Sequence, residues 1–306
     1  MQLWPALSFS YLMHSIVSVI VLYKPDLNAF KKVLATHQDN FSAILLVNNS
    51  PEISLDSLQS QPVTIINNSS NIGLAAALNI GILEAKKQAA EMVALFDQDS
   101  VLPPNFTQQM LGYINNYNDD NLVAVYCPIY HNKVTEETTK HINFKPFRLI
   151  RSLVIKNEEY AHPHYVITSG SMIPVNVFDV VGLMREELFI DFVDIEWCLR
   201  ARKQGYEIVA FNNVMIDHQL GDYSVRFMGH PYPIHSPLRM YYSFRNAMYL
   251  YRLKEIDWNW RLVDATRNLW RFLFYMLFVK NRRIYFRYII KGYYHGLLKK
   301  MGKLEE

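Results

Sequence analysis

An apolar run ends in two carboxylates in the stretch Ala94-Leu-Phe-Asp-Gln-Asp-Ser100. A run of this length predicts a buried strand, and open α/β sheets bind their ligands at the carboxyl ends of such strands. Carboxylate oxygens bind hard divalent cations, which proteins often share with the phosphates of a substrate. Taken alone, Asp-x-Asp is more often only a polar turn. Together with the motifs around it, the pair Asp97 and Asp99 predicts a site for a metal ion and a diphosphate.

Three further apolar runs precede this stretch, at residues 16–23, 43–47 and 63–66, and each ends in a polar cluster. A turn after the first run predicts a helix that begins near Leu27, and residues 73–90 are rich in Ala and Leu with a helical period. Strands that alternate with helices predict an α/β fold with a mostly parallel central sheet flanked by helices. The ligand-binding loops then gather at one edge of the sheet.

A second group of acidic residues contains Asp191, Asp194 and Glu196. The last two lie near the start of a helix predicted from about residue 195 to residue 204. Negative charge in the first turn of a helix is favourable, which accounts for one of these acids but not for all three. We therefore expect a functional site here. Shortly before it, the motif Thr168-Ser-Gly-Ser171 precedes a second predicted helical stretch.

The composition limits the class of protein. Half of the 306 residues are hydrophobic, which is enough for a full-size core. The two cysteines, Cys127 and Cys198, lack the spacing of a disulfide framework or a zinc site, so we expect a reducing cytosol. The N-terminus lacks the basic region and cleavage site of a signal peptide, so residues 1–14 are predicted to be an extension.

Positive charge is concentrated in residues 265–304, which contain ten Lys or Arg and no Asp or Glu. The rest of the chain has 21 basic and 28 acidic residues, a balance of −7. The same segment is rich in aromatic residues, a composition typical of contact with a membrane surface or with nucleic acid. Its longest apolar piece, residues 272–279, is far below the ~20 residues that a transmembrane helix needs. The alternative is an ordinary helical segment that packs on the rest of the chain.

Seven motifs follow one another along roughly residues 17–246. In chain order they are Leu22-Tyr-Lys-Pro-Asp26, Asn71-Ile-Gly-Leu-Ala-Ala-Ala-Leu-Asn-Ile-Gly81, Phe96-Asp-Gln-Asp-Ser100, Thr168-Ser-Gly-Ser171, Phe189-Ile-Asp-Phe-Val-Asp-Ile-Glu-Trp-Cys-Leu-Arg200, Asp217-His218 and Tyr241-Tyr-Ser-Phe-Arg-Asn246. Each motif is weak alone, but the ordered set resembles the inverting glycosyltransferases of family 2, especially their bacterial rhamnosyltransferase-like branch.

The resemblance implies a fold, a domain organisation and a set of donor-binding residues. The fold would be of the GT-A type, with a catalytic domain at residues 15–248 and a helical, basic and aromatic region at 249–306. Asn48 stands where family members often have Asp to accept the N3–H of uracil or thymine, and its carbonyl can still accept that hydrogen bond. The donor-binding residues implied are Tyr23, Asn48, Asn71, Gly73, Asn79 and Asp97.

The resemblance also implies the catalytic groups. Asp99 would hold a divalent metal ion, Mg²⁺ or Mn²⁺, with His218 as a further metal ligand, and the metal would neutralise charge on the departing nucleotide. Asp194 would be the general base that removes the proton of the acceptor hydroxyl in a single inverting displacement. The residues implied to support this base or to bind the acceptor are Asp191, Glu196, Trp197, Ser169 and Gly170.

These roles predict a metal-dependent inverting glycosyltransferase. The expected donor is dTDP-rhamnose, with a UDP-linked galactose, glucose or galactofuranose as the alternative. The expected acceptor is a saccharide on polyprenyl diphosphate, used in O-antigen or capsule synthesis at the cytoplasmic face of the cell membrane, which the C-terminal segment would contact. Two other classes remain open: a nucleic-acid-binding protein acting through the basic tail, which the acidic remainder disfavours, and a protein that keeps the fold without turnover.

Overall fold

A computed structural model describes residues 16–117, 121–132, 137–154, 158–217, 223–227 and 230–305. The predicted N-terminal extension, residues 1–14, lies outside the described residues, and so does His218. Among the described residues, the helices are α1 (Leu27–Gln38), α2 (Leu74–Lys87), α3 (Phe106–Asn116), α4 (Val177–Val181), α5 (Val193–Lys203), α6 (Pro237–Leu250), α7 (Trp258–Phe278) and α8 (Arg282–Leu297), with short 3₁₀ turns at Asp56–Leu58 and Glu186–Leu188.

The predicted α/β fold with a mostly parallel central sheet and flanking helices is confirmed. The main sheet runs in the order β3-β2-β1-β4-β10-β5-β11-β9, and β6 pairs with β5. Two separate hairpins are formed by β7 with β8 and by β12 with β13. The strands are β1 (Ile16–Leu22), β2 (Ala43–Asn48), β3 (Val63–Asn67), β4 (Met92–Asp97), β5 (Val123–Asn132), β6 (Glu137–Thr138), β7 (Lys140–Lys145), β8 (Arg148–Leu153), β9 (Tyr160–Ala161), β10 (Ser171–Pro174), β11 (Glu207–Asp217), β12 (Tyr223–Phe227) and β13 (His230–Ile234).

The parallel register brings the carboxyl ends of three strands together. Val21 of β1 is paired with Asp97 at the end of β4, and Leu22 is paired with Asn48 at the end of β2. The turn after β1 leads into α1, because the carboxylate of Asp26 accepts the backbone N–H groups of Asn28 and Ala29 and so caps the helix. The predicted first strand and first helix are therefore confirmed.

The helical stretch predicted after the Thr168–Ser171 motif is present as α4, Val177–Val181. Before it, residues 171–174 form the strand β10, which the sequence did not predict. Met172 of β10 is paired antiparallel with Ala94 of β4 on one side and with Tyr126 of β5 on the other. Short apolar runs do not distinguish a buried strand from a helix by periodicity, and here the pairing with two neighbouring strands decides the conformation.

The C-terminal helices pack on the rest of the fold by one face. Gly292 and Gly296 of α8 lie one turn apart, and a Cβ atom on either would stand 2.5 Å from a backbone oxygen of α6. The missing side chains therefore let the two helix backbones approach closely. The main chain beyond α8 is also attached, because Gly302 N–H donates to the Glu187 carbonyl at 2.9 Å. Among the described residues, no helix is both long enough and apolar enough to cross a membrane.

The predicted division of the chain at residues 248 and 249 falls inside α6 and stays a prediction. The predicted helix at 195–204 is confirmed as α5, and Gly205 follows it with a φ of +90°. This left-handed conformation is the usual end of a helix at glycine.

Replacing Gly292 by Ala is expected to lower the free energy of unfolding by about 1–3 kcal/mol, because the new methyl group would overlap the Tyr241 carbonyl. The matched control is Gly112→Ala in α3, where an added Cβ meets nothing within 4 Å. That control should be neutral or stabilising by up to about 1 kcal/mol, since alanine is the better helix former. Thermal or denaturant unfolding measures both, and equal stability of the two variants would contradict the close helix contact.

Candidate active site

A cavity of about 1250 Å³ opens at the edge of the sheet where β1, β2 and β4 end. It brings together residues that are far apart in the sequence, from both acidic clusters and from the C-terminal helices. The sequence-predicted residues that line it are Tyr23, Asn71, Gly73, Asp97, Asp99, Asp191 and Asp194. The predicted residues outside its lining are Asn48, Asn79, Ser169, Gly170, Glu196 and Trp197.

The Asp-x-Asp segment is a turn that starts at the end of β4. Ser100 N–H donates to the carbonyl of Asp97 at 3.2 Å, which closes the turn. The amide oxygen of Gln98 accepts the backbone N–H of Tyr23 at 2.9 Å, so the turn is joined to the end of β1. Asp97 and Asp99 both line the cavity.

A buried chain of hydrogen bonds, which the sequence did not reveal, holds this turn from below. His37 of α1 lies between Ser18 Oγ, 3.2 Å from its Nδ1, and the Ser100 carbonyl, 3.0 Å from its Nε2. Because a carbonyl only accepts, Nε2 carries the proton and Nδ1 accepts from the hydroxyl. Burial lowers the pKa of His37 to about 4, so the ring is neutral at pH 7. The hydroxyl of Ser100 in turn forms a hydrogen bond with the hydroxyl of Ser169.

Asp194 is a buried carboxyl group of the cavity with a shifted pKa. Removal of water from the group raises its pKa to about 6, and repulsion by Asp97 and Asp191 acts in the same direction. The backbone N–H of Ile195, which donates to Asp194 Oδ1 at 2.8 Å, partly opposes the shift. A carboxyl group that titrates near neutrality suits general-base catalysis.

The loop before α5 has an unusual backbone. Phe189, Asp191 and Phe192 have φ values of 64°, 63° and 66°, in the left-handed region that residues with a side chain seldom adopt. The amide of Asn246 on α6 donates to the carbonyls of residues 188, 190 and 191 at 2.9, 2.7 and 2.9 Å. The loop is therefore held by a buried side chain of α6. The guanidinium of Arg239 also donates to the Asp191 carboxylate at 3.1 Å.

Gly73 touches this loop. Its φ is +91°, and a Cβ atom there would lie 2.5 Å from the Phe189 ring and 2.7 Å from the Phe189 carbonyl. The family resemblance implies Gly73 as a donor-binding residue. In the structure the close approach is to the Phe189 loop, although both residues also line the cavity.

Asn48 and Asn49 differ in their surroundings. The amide of Asn48 is buried and donates to the Ile53 carbonyl and to Asn67 Oδ1, each at 2.9 Å, while its oxygen accepts Ser50 N–H. Asn49 is the one of the two that lines the cavity, and its amide donates to Asn71 Oδ1 at 3.0 Å. These internal bonds do not favour the predicted contact of Asn48 with the donor base, which stays a prediction. Strand β2 continues through position 48, so Asn49 is the first residue beyond its end.

The remaining predicted residues lie behind the site. Asn79 donates to the Met184 carbonyl and to Glu186, both at 2.9 Å. Glu196 is fully buried and accepts Nε of Arg185 at 2.7 Å and Nε of Arg200 at 2.9 Å. Trp197 Nε1 donates to the Gly182 carbonyl at 2.8 Å. These contacts fix α2 and α5 in place, which is a supporting role at a distance from the cavity.

Gly170 lies beside the base of the cavity without lining it. Its φ is +85°, and a Cβ atom there would stand 2.6 Å from the Pro128 ring. The neighbouring Thr168 is the residue of this motif that faces the cavity.

The carboxylates fit a divalent cation by the chemistry of their donor atoms. Among the described residues, no group of three or more His, Cys, Asp or Glu is arranged to hold a metal ion. Mg²⁺ is commonly held by only one or two carboxylates together with substrate phosphates and water. Asp97 and Asp99, on one turn at the cavity wall, provide such a set of hard oxygen ligands.

Comparisons with known proteins give one family. The sequence model described as "Glycosyl transferase family 2" matches residues 27–182. The chain is 33% identical over 245 residues to a dTDP-rhamnosyl transferase, RfbF, of Shigella flexneri, covering 79% of this chain and 81% of that protein.

Solved structures show the same fold. GalNAc-T7 crystallised with UDP, GalNAc and Mn²⁺ matches with a TM-score of 0.59 and 14% identity, over 94% of this chain and 57% of the longer GalNAc-T7 chain. S. aureus TarS, residues 1–349, in complex with UDP-GlcNAc matches with a TM-score of 0.55 and 14% identity, over 92% of this chain and 81% of that one. With the family match and the rhamnosyl transferase relative, these observations identify the chain as a glycosyltransferase of family 2 with the GT-A fold.

Proposed function

We propose that this enzyme transfers L-rhamnose from dTDP-rhamnose, with inversion, to a saccharide carried on polyprenyl diphosphate during the synthesis of O-antigen or capsule. The observation that carries the proposal is the convergence of Asp97, Asp99 and Asp194 on one cavity. The identity of 33% to a dTDP-rhamnosyl transferase over most of both chains supports the choice of donor.

In the proposed reaction Asp194 takes the proton of the acceptor hydroxyl as that oxygen attacks the anomeric carbon. The new glycosidic bond forms while the bond from the anomeric carbon to the diphosphate oxygen breaks, and the nucleoside diphosphate leaves with the electron pair. A base with a pKa raised to about 6 is both deprotonated at pH 7 and a stronger proton acceptor than an ordinary aspartate. Asp191, paired with Arg239, lies beside this base and orients the acceptor.

Asp99, with Asp97, would hold a divalent cation, either Mg²⁺ or Mn²⁺. When bound, such a cation would neutralise the negative charge that develops on the departing diphosphate. The proposed imidazole ligand, His218, lies outside the described residues. Around the donor, Tyr23 and Asn71 line the same end of the cavity.

The exposed side of the C-terminal helices supports a proposed contact with the cytoplasmic face of the cell membrane. On α7 and α8, exposed apolar side chains alternate with exposed cations, and the faces that carry Gly292 and Gly296 are turned to α6. Apolar groups favour the headgroup boundary, and cations are attracted to anionic lipids. We call this the basic-aromatic surface and define it by Trp270, Phe286, Ile290, Tyr294, Arg283, Arg287 and Lys291.

The donor and the two carboxylate roles are tested by measuring nucleotide-sugar binding and hydrolysis with dTDP-rhamnose and with UDP-hexoses, each with Mg²⁺ or Mn²⁺. We expect wild type to release dTDP slowly. Asp99→Ala should lose metal-dependent donor binding, whereas Asp194→Asn should bind the donor and lose about 10²–10⁴-fold in transfer rate. The exposed Asp56→Asn is the matched control. Preferred turnover of a UDP-hexose would reject the proposed donor, and metal-independent binding would reject the role of Asp99.

The rate of transfer is expected to rise with pH through about 6, because Asp194 must lose its proton before it can act as the base. Asp191→Asn removes a neighbouring negative charge that raises the pKa of Asp194, so the acidic limb of the profile should move to lower pH. The measurement is kcat/KM against pH for both proteins. If the acidic limb of the wild-type profile lay near pH 4, where an ordinary aspartate titrates, it would contradict the assignment of Asp194 as the base.

Membrane contact is tested by flotation of the full chain with vesicles of phosphatidylcholine and phosphatidylglycerol. Arg283→Gln with Arg287→Gln should weaken binding about ten-fold or more, since each cation near an anionic surface contributes about 1 kcal/mol. Lys31→Gln with Lys32→Gln, two exposed cations of α1, is the charge-matched control and should bind like wild type. The proposed membrane contact would be rejected if both double variants lost vesicle binding equally, or if binding did not weaken as the salt concentration rises.

A further inference from the structure

Helix α7 lines the cavity over much of its length and changes character along its axis. Up to position 271, the residues of α7 that line the cavity include two cations, Arg267 and Arg271. Beyond position 271, its lining residues are all apolar: Leu273, Phe274, Leu277 and Phe278. At 1.5 Å per residue, the step from Arg267 to Leu277 spans about 15 Å. The same wall is therefore cationic at one end and apolar at the other.

The cationic end of this wall belongs to the same cavity as the proposed base, because Tyr165, Asp264, Arg267 and Asp194 all line it. Burial raises the pKa of Tyr165, the charge of Arg267 lowers it, and the charges of Asp264 and Asp194 raise it. Arg267 is also within 3.9 Å of Asp264, and Arg271 donates to Asn268 and lies 5.0 Å from the centroid of the Phe244 ring.

The apolar end of the wall is open to solvent. Leu277 is 66% exposed, Phe278 55% and Leu273 38%, although all three also line the cavity. Large apolar side chains gathered at the mouth of a cavity indicate a surface that an apolar ligand covers. They continue into the basic-aromatic surface, which places the mouth of the cavity at the proposed membrane contact.

We propose that α7 forms a separate subsite for a lipid diphosphate, with Arg267 and Arg271 binding the diphosphate and Leu273 and Leu277 binding the first isoprene units. The charge on these arginines suits a diphosphate without a bridging cation, and the apolar row beyond them suits an isoprenoid chain. This inference rests on the proposed function, in which the acceptor is lipid-linked, and it assigns residues to the recognition of that lipid.

The subsite is tested on the full chain by titration calorimetry with farnesyl diphosphate, kept below its micelle concentration. EDTA is present, so that binding through a metal at Asp97 and Asp99 does not contribute. Farnesol and inorganic pyrophosphate are the two comparison ligands. We expect farnesyl diphosphate to bind about ten-fold or more tightly than either, because it alone engages both ends of the wall.

Two variants separate the ends of the subsite. Arg267→Gln with Arg271→Gln should lower the affinity for farnesyl diphosphate about ten-fold or more and abolish the binding of pyrophosphate. Leu277→Ser should lower the affinity for farnesyl diphosphate and leave the affinity for pyrophosphate unchanged. The controls are Lys31→Gln with Lys32→Gln for charge and the exposed Leu83→Ser of α2 for apolar area.

Three results would overturn the inference: farnesyl diphosphate bound no more tightly than farnesol, no more tightly than pyrophosphate, or equally by wild type and the α7 variants. A parallel titration with dTDP and Mg²⁺ distinguishes the two proposals. The α7 variants should retain wild-type affinity for dTDP. Loss of dTDP binding in these variants would place both ligands in one site and reject a separate subsite. Failure of wild type to bind dTDP would count against the proposed donor alone.

Discussion

The arrangement of the active site depends on the hydrogen bonds by which Asn246 holds the loop before α5. Phe189 occupies a φ of 64° and a ψ of −63°, with Ile190 N–H donating to the Leu188 carbonyl at 2.7 Å, which is the rare and strained γ-turn. Each residue in such a conformation costs about 1–3 kcal/mol, so the loop needs external support. The Asn246 amide supplies it by donating to three loop carbonyls, and Arg245 donates to the Leu188 carbonyl at 2.9 Å.

This constraint connects Asp191 and Asp194 to the C-terminal segment. Arg245 also donates to the carbonyl of Gly302, whose own N–H donates to Glu187 at the start of the loop. The chain beyond α8 is thus fastened to the loop that carries Asp191 and leads into Asp194. Removal of water is the main cause that raises the pKa of Asp194, and repulsion by Asp97 and Asp191 adds to it. The contacts of the C-terminal segment therefore help to hold the loop whose Asp191 contributes to that repulsion.

Local patterns predicted more of the fold than of the site. Apolar runs and the Asp26 cap were sufficient for the first strand, the first helix and β4, because these elements are specified by their own residues. Strand β10 was missed, since only its two neighbours make it a strand. The acidic motifs indicated Asp97, Asp99, Asp191 and Asp194 as cavity residues, but not that Glu196 is enclosed by arginines. His37 left no signal, because a single histidine on a helix does not reveal the carbonyl it meets after folding.

Charge is unevenly distributed along the sequence: residues 265–304 contain ten cations and no acid, and the rest of the chain has a balance of −7. Residues from both parts of the chain line one cavity. Its sheet edge carries the carboxylates, and α7 carries Arg267 and Arg271. A diphosphate at the sheet edge meets negative charge, so its binding there requires a cation between the two. A diphosphate beside Arg267 and Arg271 meets positive charge, although Asp264 of the same helix also lines the cavity. The two proposals therefore assign the anionic donor and the lipid diphosphate to different walls of one cavity, which the proposed base, Asp194, also lines.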